Sequence, residues 1–514
     1  MSLALGPRQY DRKVDSRSEI ASIWIRWRTN QNPSTSRRTA FPLAILLLFL
    51  MCATAAAATY HVSPKGRNLS GSGSADSPWK TVGYGLRRIR GGDTLVLGSG
   101  TYASPDDAIS TPPRGAPGRE TVICAERDGT VVITSPQGLS LTHDVSHVRI
   151  EGLKFDAPHS KRILGNHVRI LRTAFKGGPA EENTVQVGIG SKDHNDTRCI
   201  LLEDCWVYGP GGRYNILIYN SRQVVLRRLV IRHDGGWKDK KWDPEAATCA
   251  YNSSQVSYQN VIVVDSNRPD YHNWYGSFYS TADSREREIS WRGCIALNNR
   301  GTGLGVDPKY SGAIDNLLIW NVISFANDWG ITLGSSGTVN GLIDRVTVGK
   351  TSPQGEGIAK WGNQGSVRVR KGLVFDVGVS SFRGVEILPE NGGFSNRRKA
   401  SIFYLPQGAS KTGRWQAGQP EGDGIGAEIM NRIGATGAYY EDQEWDTVTS
   451  DPLWPWPFED RIKGDFSEVD SRGFAAQGKG LYGGEISLTS YVWEFLGHPC
   501  PPGICSLSPN IIAK

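Results

Sequence analysis

Four short clusters sit at the ends of apolar runs in the middle of the chain: Arg232-His233-Asp234, Asp265-Ser266-Asn267, Asn298-Asn299-Arg300 and Asn327-Asp328-Trp329. The loops between them add Asp243, Glu245, Asp270, Tyr271, His272, Trp274, Tyr275, Asp307, Lys309 and Tyr310, the densest collection of His, carboxylate and aromatic residues in the sequence. Asp234, Asp265 and Asp270 would repel one another on adjacent turns unless a cation or a substrate group offset them, and the hard oxygens of Asp265, Asp270 and Asp307 are what Ca2+ takes. Calcium there would grip the carboxyl group of a uronic acid and make its C5 proton more acidic. Lys309, in Gly305-Val-Asp-Pro-Lys-Tyr310, is the expected base if nearby cations lower its pKa. His272, His233 and Asp234 are the other expected proton-handling groups, while Arg213 and Arg300 suit anionic substrate groups and Trp274, Tyr275, Tyr310 and Trp329 suit sugar rings. Asp234 and Asp265 could instead serve as acid and base across a glycosidic bond. A third reading is a flank that binds glycans without cleaving them, its carboxylates neutralised by Arg232, Arg268, Arg285, Arg287 and Arg300. Stacked Asn at turns also satisfy backbone groups, and Asn298, Asn299 and Asn327 read first in that way.

The elements that must position these residues form a recurring phrase of two short apolar runs separated by a polar or small residue. It reads Val148-Arg-Ile150-Glu-Gly-Leu-Lys-Phe155, then Val168 to Phe175, Ile200 to Val207, Val224 to Ile231, Val256 to Val263, Ile289 to Ala296, Leu317 to Ser324 and Gly341 to Val348. Alternation over four to eight residues marks half-buried strands, and no 3.6-residue stripe runs through these segments. Copies start roughly 20 to 33 residues apart, too close for the longer blades of a propeller and suited to a stacked coil of parallel strands sharing one core. Gly152, Asp204, Asn260, Gly293 and Asn321 stand between the two runs, where a sharp bend needs residues that tolerate left-handed backbone angles.

The segment Arg37-Arg38 through Cys52, followed by Ala53-Thr-Ala-Ala-Ala-Ala58, has the basic flank, apolar stretch and small-residue zone of a cleaved secretory signal. Its apolar part is about a dozen residues, short of the roughly 20 needed to span a bilayer. Cleavage would leave 50 Lys and Arg against 48 Asp and Glu, so the +7 of the whole chain is no footprint for nucleic acid. A secreted, periplasmic or cell-surface monomer without a stable membrane span is expected. Of the seven remaining cysteines, Cys500 and Cys505 could staple the carboxyl tail, and Cys205 and Cys294, equivalent in their repeats, read as core filling. No Cys/His cluster points to zinc, and no organic cofactor is expected.

The start of the mature chain, Thr59-Tyr-His-Val-Ser-Pro-Lys-Gly66 through Ser77-Pro-Trp-Lys-Thr81 to Gly91-Gly-Asp-Thr-Leu-Val-Leu97 and Gly100-Thr-Tyr102, resembles the opening of right-handed parallel β-helix proteins of the pectate-lyase-like superfamily. The resemblance runs from Thr59 to about Gly378. It implies an all-β, right-handed parallel β-helix (a solenoid) opened by a short capping helix near Val82 to Arg90, and it spans lyases, hydrolases, epimerases and surface proteins. The expected organisation is a leader over 1–58, the β-helix over 59–389 and an irregular C-terminal extension over 390–514. That extension carries Asp451-Pro-Leu-Trp-Pro-Trp-Pro-Phe458, which cannot form a central strand or helix, and is expected to pack along the coil. The functional expectation is a carbohydrate-active protein acting on an acidic, uronate-containing polysaccharide by calcium-assisted β-elimination. Glycosidic hydrolysis and non-catalytic glycan binding are the alternatives.

Overall fold

The computed structural model describes residues 56–177, 182–190, 197–210, 212–234, 245–266, 275–334, 336–362, 364–388, 403–405, 426–429, 437–438, 447–448, 453–467, 486–496 and 504. From Ala57 onward the chain is one compact unit. Apart from one antiparallel pair, Gly437–Ala438 with Thr447–Val448, its strands gather into three parallel sheets of 14, 12 and 10 strands, successive coils adding a strand to each sheet in turn. One complete turn reads Ser254–Gln259 in the first sheet, Ile262–Val264 in the second and Tyr275–Thr281 in the third. The chain then re-enters the first sheet at Ile289–Arg292. The fold is a right-handed parallel β-helix, the hand that crossovers between parallel strands adopt.

Register converts the repeated phrase into ladders. Ile150, Ile170, Leu202, Leu226, Tyr258 and Trp291 pair in succession along the first sheet, and each is fully buried. Burial of one such aliphatic side chain contributes about 1.5–3 kcal/mol, repeated once per coil. The corner between first and second sheets falls on the residues that separate the two runs: φ is +74° at Gly152, +56° at Asp204, +51° at Asn260, +66° at Gly293 and +55° at Asn321. Arg172, Arg228, Arg345 and Lys371 take the same left-handed angle at their own corners. Corner geometry therefore outranks local preference, since core packing on both sides of the bend over-determines it.

Helix α1, Val82–Leu86, is shorter than the stretch to Arg90 that the sequence points to, and covers the open end of the core with Val82 and Leu86. Gly85 is needed there: a Cβ would lie 2.9 Å from Val62 and 3.0 Å from Leu95. At the other end the coil continues past 389, because Phe403–Leu405 pairs with Leu373–Phe375 in the second sheet.

The extension supplies α2, Glu459–Phe466, and α3, Leu488–Phe495. Together with Leu453, Trp454 and Trp456 they cover the outer face of the second sheet, including Trp206, Tyr208, Val230, Ile262, Val264, Ile295 and Leu297. Those short strands are buried on both faces, which is why runs such as Ile262-Val-Val264 lose alternation. Asp465 accepts from Trp206 Nε1 (2.6 Å) and Lys154 Nζ (2.8 Å), and Arg232 donates to the Phe466 carbonyl (3.2 Å). Cys205 and Cys294 lie in the core as expected, and among the described residues Cys124, Cys205, Cys249 and Cys294 are free thiols. Cys500 and Cys505 lie outside the described residues. Among the described residues no helix is long and apolar enough to cross a membrane.

Candidate functional site

The described residues of the four clusters singled out in the sequence fall at the corner between second and third sheets, where Asp234, His233, Asp265, Asn299 and Asn327 are buried and hold the turns; Asn267 lies outside the described residues. Asn299 Oδ1 accepts from the Ser266 amide (2.8 Å) while its Nδ2 reaches the Val263 carbonyl (3.0 Å); Asn327 repeats both contacts one coil on, toward Asn299 N and Ala296 O. Asp234 is clamped by Arg232 (2.5 Å) and caps the Gly209 amide (2.8 Å). His233 is 2% exposed, its amide on Ser266 Oγ and its ring on the Gly212 carbonyl. Asp265, 1% exposed, accepts from Asn298 Nδ2 (2.6 Å) and from the Tyr491 hydroxyl of α3 (2.8 Å).

This placement corrects two expectations. Asp234 and Asp265 lie under the C-terminal extension and face Arg232 and Tyr491, so they do not form an acid and base pair open to a glycan. Asp307 and Lys309 leave the opposite edge of the third sheet. The strand Thr302–Val306 separates that edge from Asn298, a run on the order of 15 Å at about 3.3 Å per residue. Asp265 and Asp307 therefore do not share a cation. Among the described residues no three His, Cys, Asp or Glu gather into a metal site. Asp243, Asp270, Tyr271, His272, Trp274 and the side chain of Tyr275 lie outside the described residues. Arg300 is exposed on the turn after Asn299.

Chemistry-bearing groups do converge on the outer side of the third sheet and at its far edge. Tyr219 and Tyr251 end neighbouring strands and stack with centroids 4.9 Å apart and planes 7° from parallel. Gly190 flanks the Tyr219 ring, and Lys309 Nζ lies 5.1 Å over the Tyr251 ring and 3.4 Å from its hydroxyl. With their faces occupied, the two tyrosines offer edges and hydroxyls. The Tyr251 hydroxyl donates to exposed Asp283 (2.7 Å). At the near end of the same face Glu245 takes a two-pronged hydrogen bond from Arg213 and one from the Tyr214 hydroxyl. Between them lie buried Leu217, Cys249 and Tyr279.

Electrostatics keep this face in its protonated forms. Burial and the Asp283 carboxylate push the Tyr251 phenol up, with Arg213 opposing. Burial pushes the Tyr214 phenol up, aided by Cys249 and Glu245, and raises the Cys249 thiol well above its ordinary value. Both phenols are therefore donors at neutral pH. Farther along the edge Tyr310 is 84% exposed, Trp329 is buried, and Trp361 packs on Trp329 at 5.6 Å. Another concavity, an open groove of about 460 Å³ on the first sheet, is lined by Asn316, Asn340, Leu342, Ser366 and Arg368 but holds no acid and base pair.

Sequence reading missed Tyr219, Tyr251 and Asp283. A signal existed: Tyr219-Asn220-Ser221 recurs as Tyr251-Asn252-Ser253, 32 residues on, at the same place in the coil. Lys309, Asp307 and Tyr310 belong to this edge, and Arg213 to the same face.

The three sheets and their register define the chain as a parallel β-helix protein, of the kind that the opening residues resemble. No family model matches the sequence, and no curated protein matches it. Similar solved structures include a PL6 family polysaccharide lyase from Pseudopedobacter saltans, at 11% identity and a TM-score of 0.41 over 67% of this chain and 96% of that one. Two others are XylC in complex with xylose (8%, TM-score 0.37, 65% and 88%) and a pectate lyase (11%, TM-score 0.33, 72% and 86%). What they share with this chain is the coil.

Proposed function

We propose that this chain is an exported, monomeric carbohydrate-active protein that binds an acidic polysaccharide on the outer side of the third sheet and cleaves it by β-elimination. The observation that carries the reading is the contact of Lys309 with Tyr251, whose hydroxyl is itself bonded to Asp283. Lys309 sits there as a cation on the Tyr251 ring, suited to pair with a uronate carboxylate and acidify the adjacent C5 proton. Asp283 accepts that proton as the C4–O4 bond breaks and the C4–C5 double bond forms. Tyr251, held protonated, donates to the leaving O4 oxygen and is restored along its bond to Asp283, so no net proton is gained or lost. Arg213, fixed by Glu245, adds positive potential to the same face. The leader at 37–58 supports export.

The alternative is binding without cleavage. It is favoured by the pairing of Glu245, Asp234 and Glu356 with Arg213, Arg232 and Arg383. Incubation with polygalacturonate and with alginate, following absorbance of unsaturated uronate ends together with reducing ends, separates the readings. New unsaturated ends lost in Tyr251→Phe support elimination. Retention of either polymer with no new ends of either kind supports binding alone, and neither retention nor cleavage sinks both.

A further inference from the structure

The row of residues that contains Tyr251 extends well beyond Lys309. Ile218, Ala250, Ser280, Val306, Leu333 and Lys360 pair one after another in the third sheet. The residues that follow them, Tyr219, Tyr251, Thr281, Asp307, Gly334 and Trp361, therefore form a line parallel to the coil axis. Four strand steps of about 4.8 Å carry that line from Tyr251 to Trp361, a distance of about 19 Å. Between those aromatic ends it narrows to Thr281, Asp307 and Gly334, none of which raises a ring.

The distal end is a built surface. Trp361 is 39% exposed, one of few large apolar side chains so placed among the described residues, and the Arg383 guanidinium lies over its ring, 5.0 Å from the centroid. Arg383 is held from behind by Glu356 (3.2 Å), whose side chain is 4% exposed while that of Arg383 is 54% exposed. Trp329, tilted 54° against Trp361, supports the indole from within. Tyr310, anchored by its amide to Ser336 Oγ (3.1 Å), stands on the coil between the two ends. With the Arg383 guanidinium over its ring, the indole offers its exposed edge to the C–H groups of a sugar, and the guanidinium stacked on it offers paired donors to a carboxylate. Both are fixed before a ligand arrives, which lowers the ordering cost of binding.

We infer that Trp361 and Arg383 form a distal subsite for the acidic polysaccharide, which lies along the coil axis across Tyr310 toward Lys309. The inference rests on the reading of the Lys309 end as the reactive one, and adds that the protein measures chain length. Short uronate oligomers that occupy Tyr251 and Lys309 do not span to Trp361, whereas polymer does.

Equilibrium binding of the full chain to polygalacturonate and alginate, each as long polymer and as trimer, tests this. Trp361→Ala and Arg383→Ala are expected to weaken binding of the recognised polymer about tenfold and to change trimer binding less than about twofold, with Trp361→Phe close to wild type. Melting temperatures unchanged from wild type confirm that the variants are folded. Wild-type affinity for polymer in both alanine variants overturns the distal subsite and leaves the Lys309 end standing. Equal losses for trimer and polymer also overturn it, since the residues would then belong to the reactive end. Failure of the wild-type chain to bind either polymer removes the reading on which the inference rests.

Discussion

Tyr251 is held at its ring by Tyr219 and Lys309 and at its hydroxyl by Asp283 and, at 3.4 Å, by Lys309 Nζ. Tyr251→Phe keeps the stack and removes the proton donor together with the long Lys309 contact to its oxygen. It is expected to lower turnover on the order of 10²-fold with little change in polymer affinity, read from steady-state release of unsaturated ends. Lys309→Ala removes the cation and should raise KM as well as lower kcat. Lys161 offers a pH test independent of function. It is fully buried, donates to the Ala157 and Lys176 carbonyls (2.7 Å each), and burial pulls its pKa down to about 8 from 10.5, against opposing Asp156 and Glu182. Above pH 8 the folded state sheds this proton while the unfolded chain keeps it until about 10.5. The unfolded state then binds more protons, and this residue's contribution makes stability rise with pH across that window. Denaturant midpoints at several pH values between 8 and 10.5 should show the rise in the wild type, and Lys161→Met should lose it.

Corners and strands explain what the sequence made legible. The left-handed bends at Gly152, Asp204, Asn260, Gly293 and Asn321 were readable because only a few residue types take that backbone angle easily. The same logic misled at the next corner, where Asp234, Asp265 and Asn299 carry the polarity of a reactive site yet spend it on backbone amides, Arg232 and Tyr491. A sequence shows that a carboxylate follows a strand, but not which later segment will cover it. Tyr491→Phe tests that cover: loss of a hydrogen bond to a buried carboxylate should cost about 1.5–3 kcal/mol in unfolding free energy while leaving polymer turnover unchanged. The third-sheet edge was harder to read, because Tyr219, Tyr251, Asp307 and Trp361 are 32 to 56 residues apart in sequence and come into one line only through register.

At the scale of the molecule, the coil was legible as a repeat and the extension only as its aromatic composition. The runs Trp206-Val-Tyr208 and Ile262-Val-Val264 held a further clue, since a strand apolar at every position needs a cover on each side. A chain ending before Leu453 should expose that face, bind an apolar fluorescent dye and aggregate on heating, whereas the intact chain should not. The bonds of α2 and α3 back to the coil close loops of more than 220 residues, from Lys154 to Asp465, Trp206 to Asp465 and Asp265 to Tyr491. A stack of repeats can grow coil upon coil as it leaves the ribosome or a translocon, each rung templating the next. Here the seal over rungs completed early is encoded more than 220 residues downstream of them. The nascent protein must carry an open greasy flank until those later residues emerge, which ties its maturation to whatever shields that flank in the meantime.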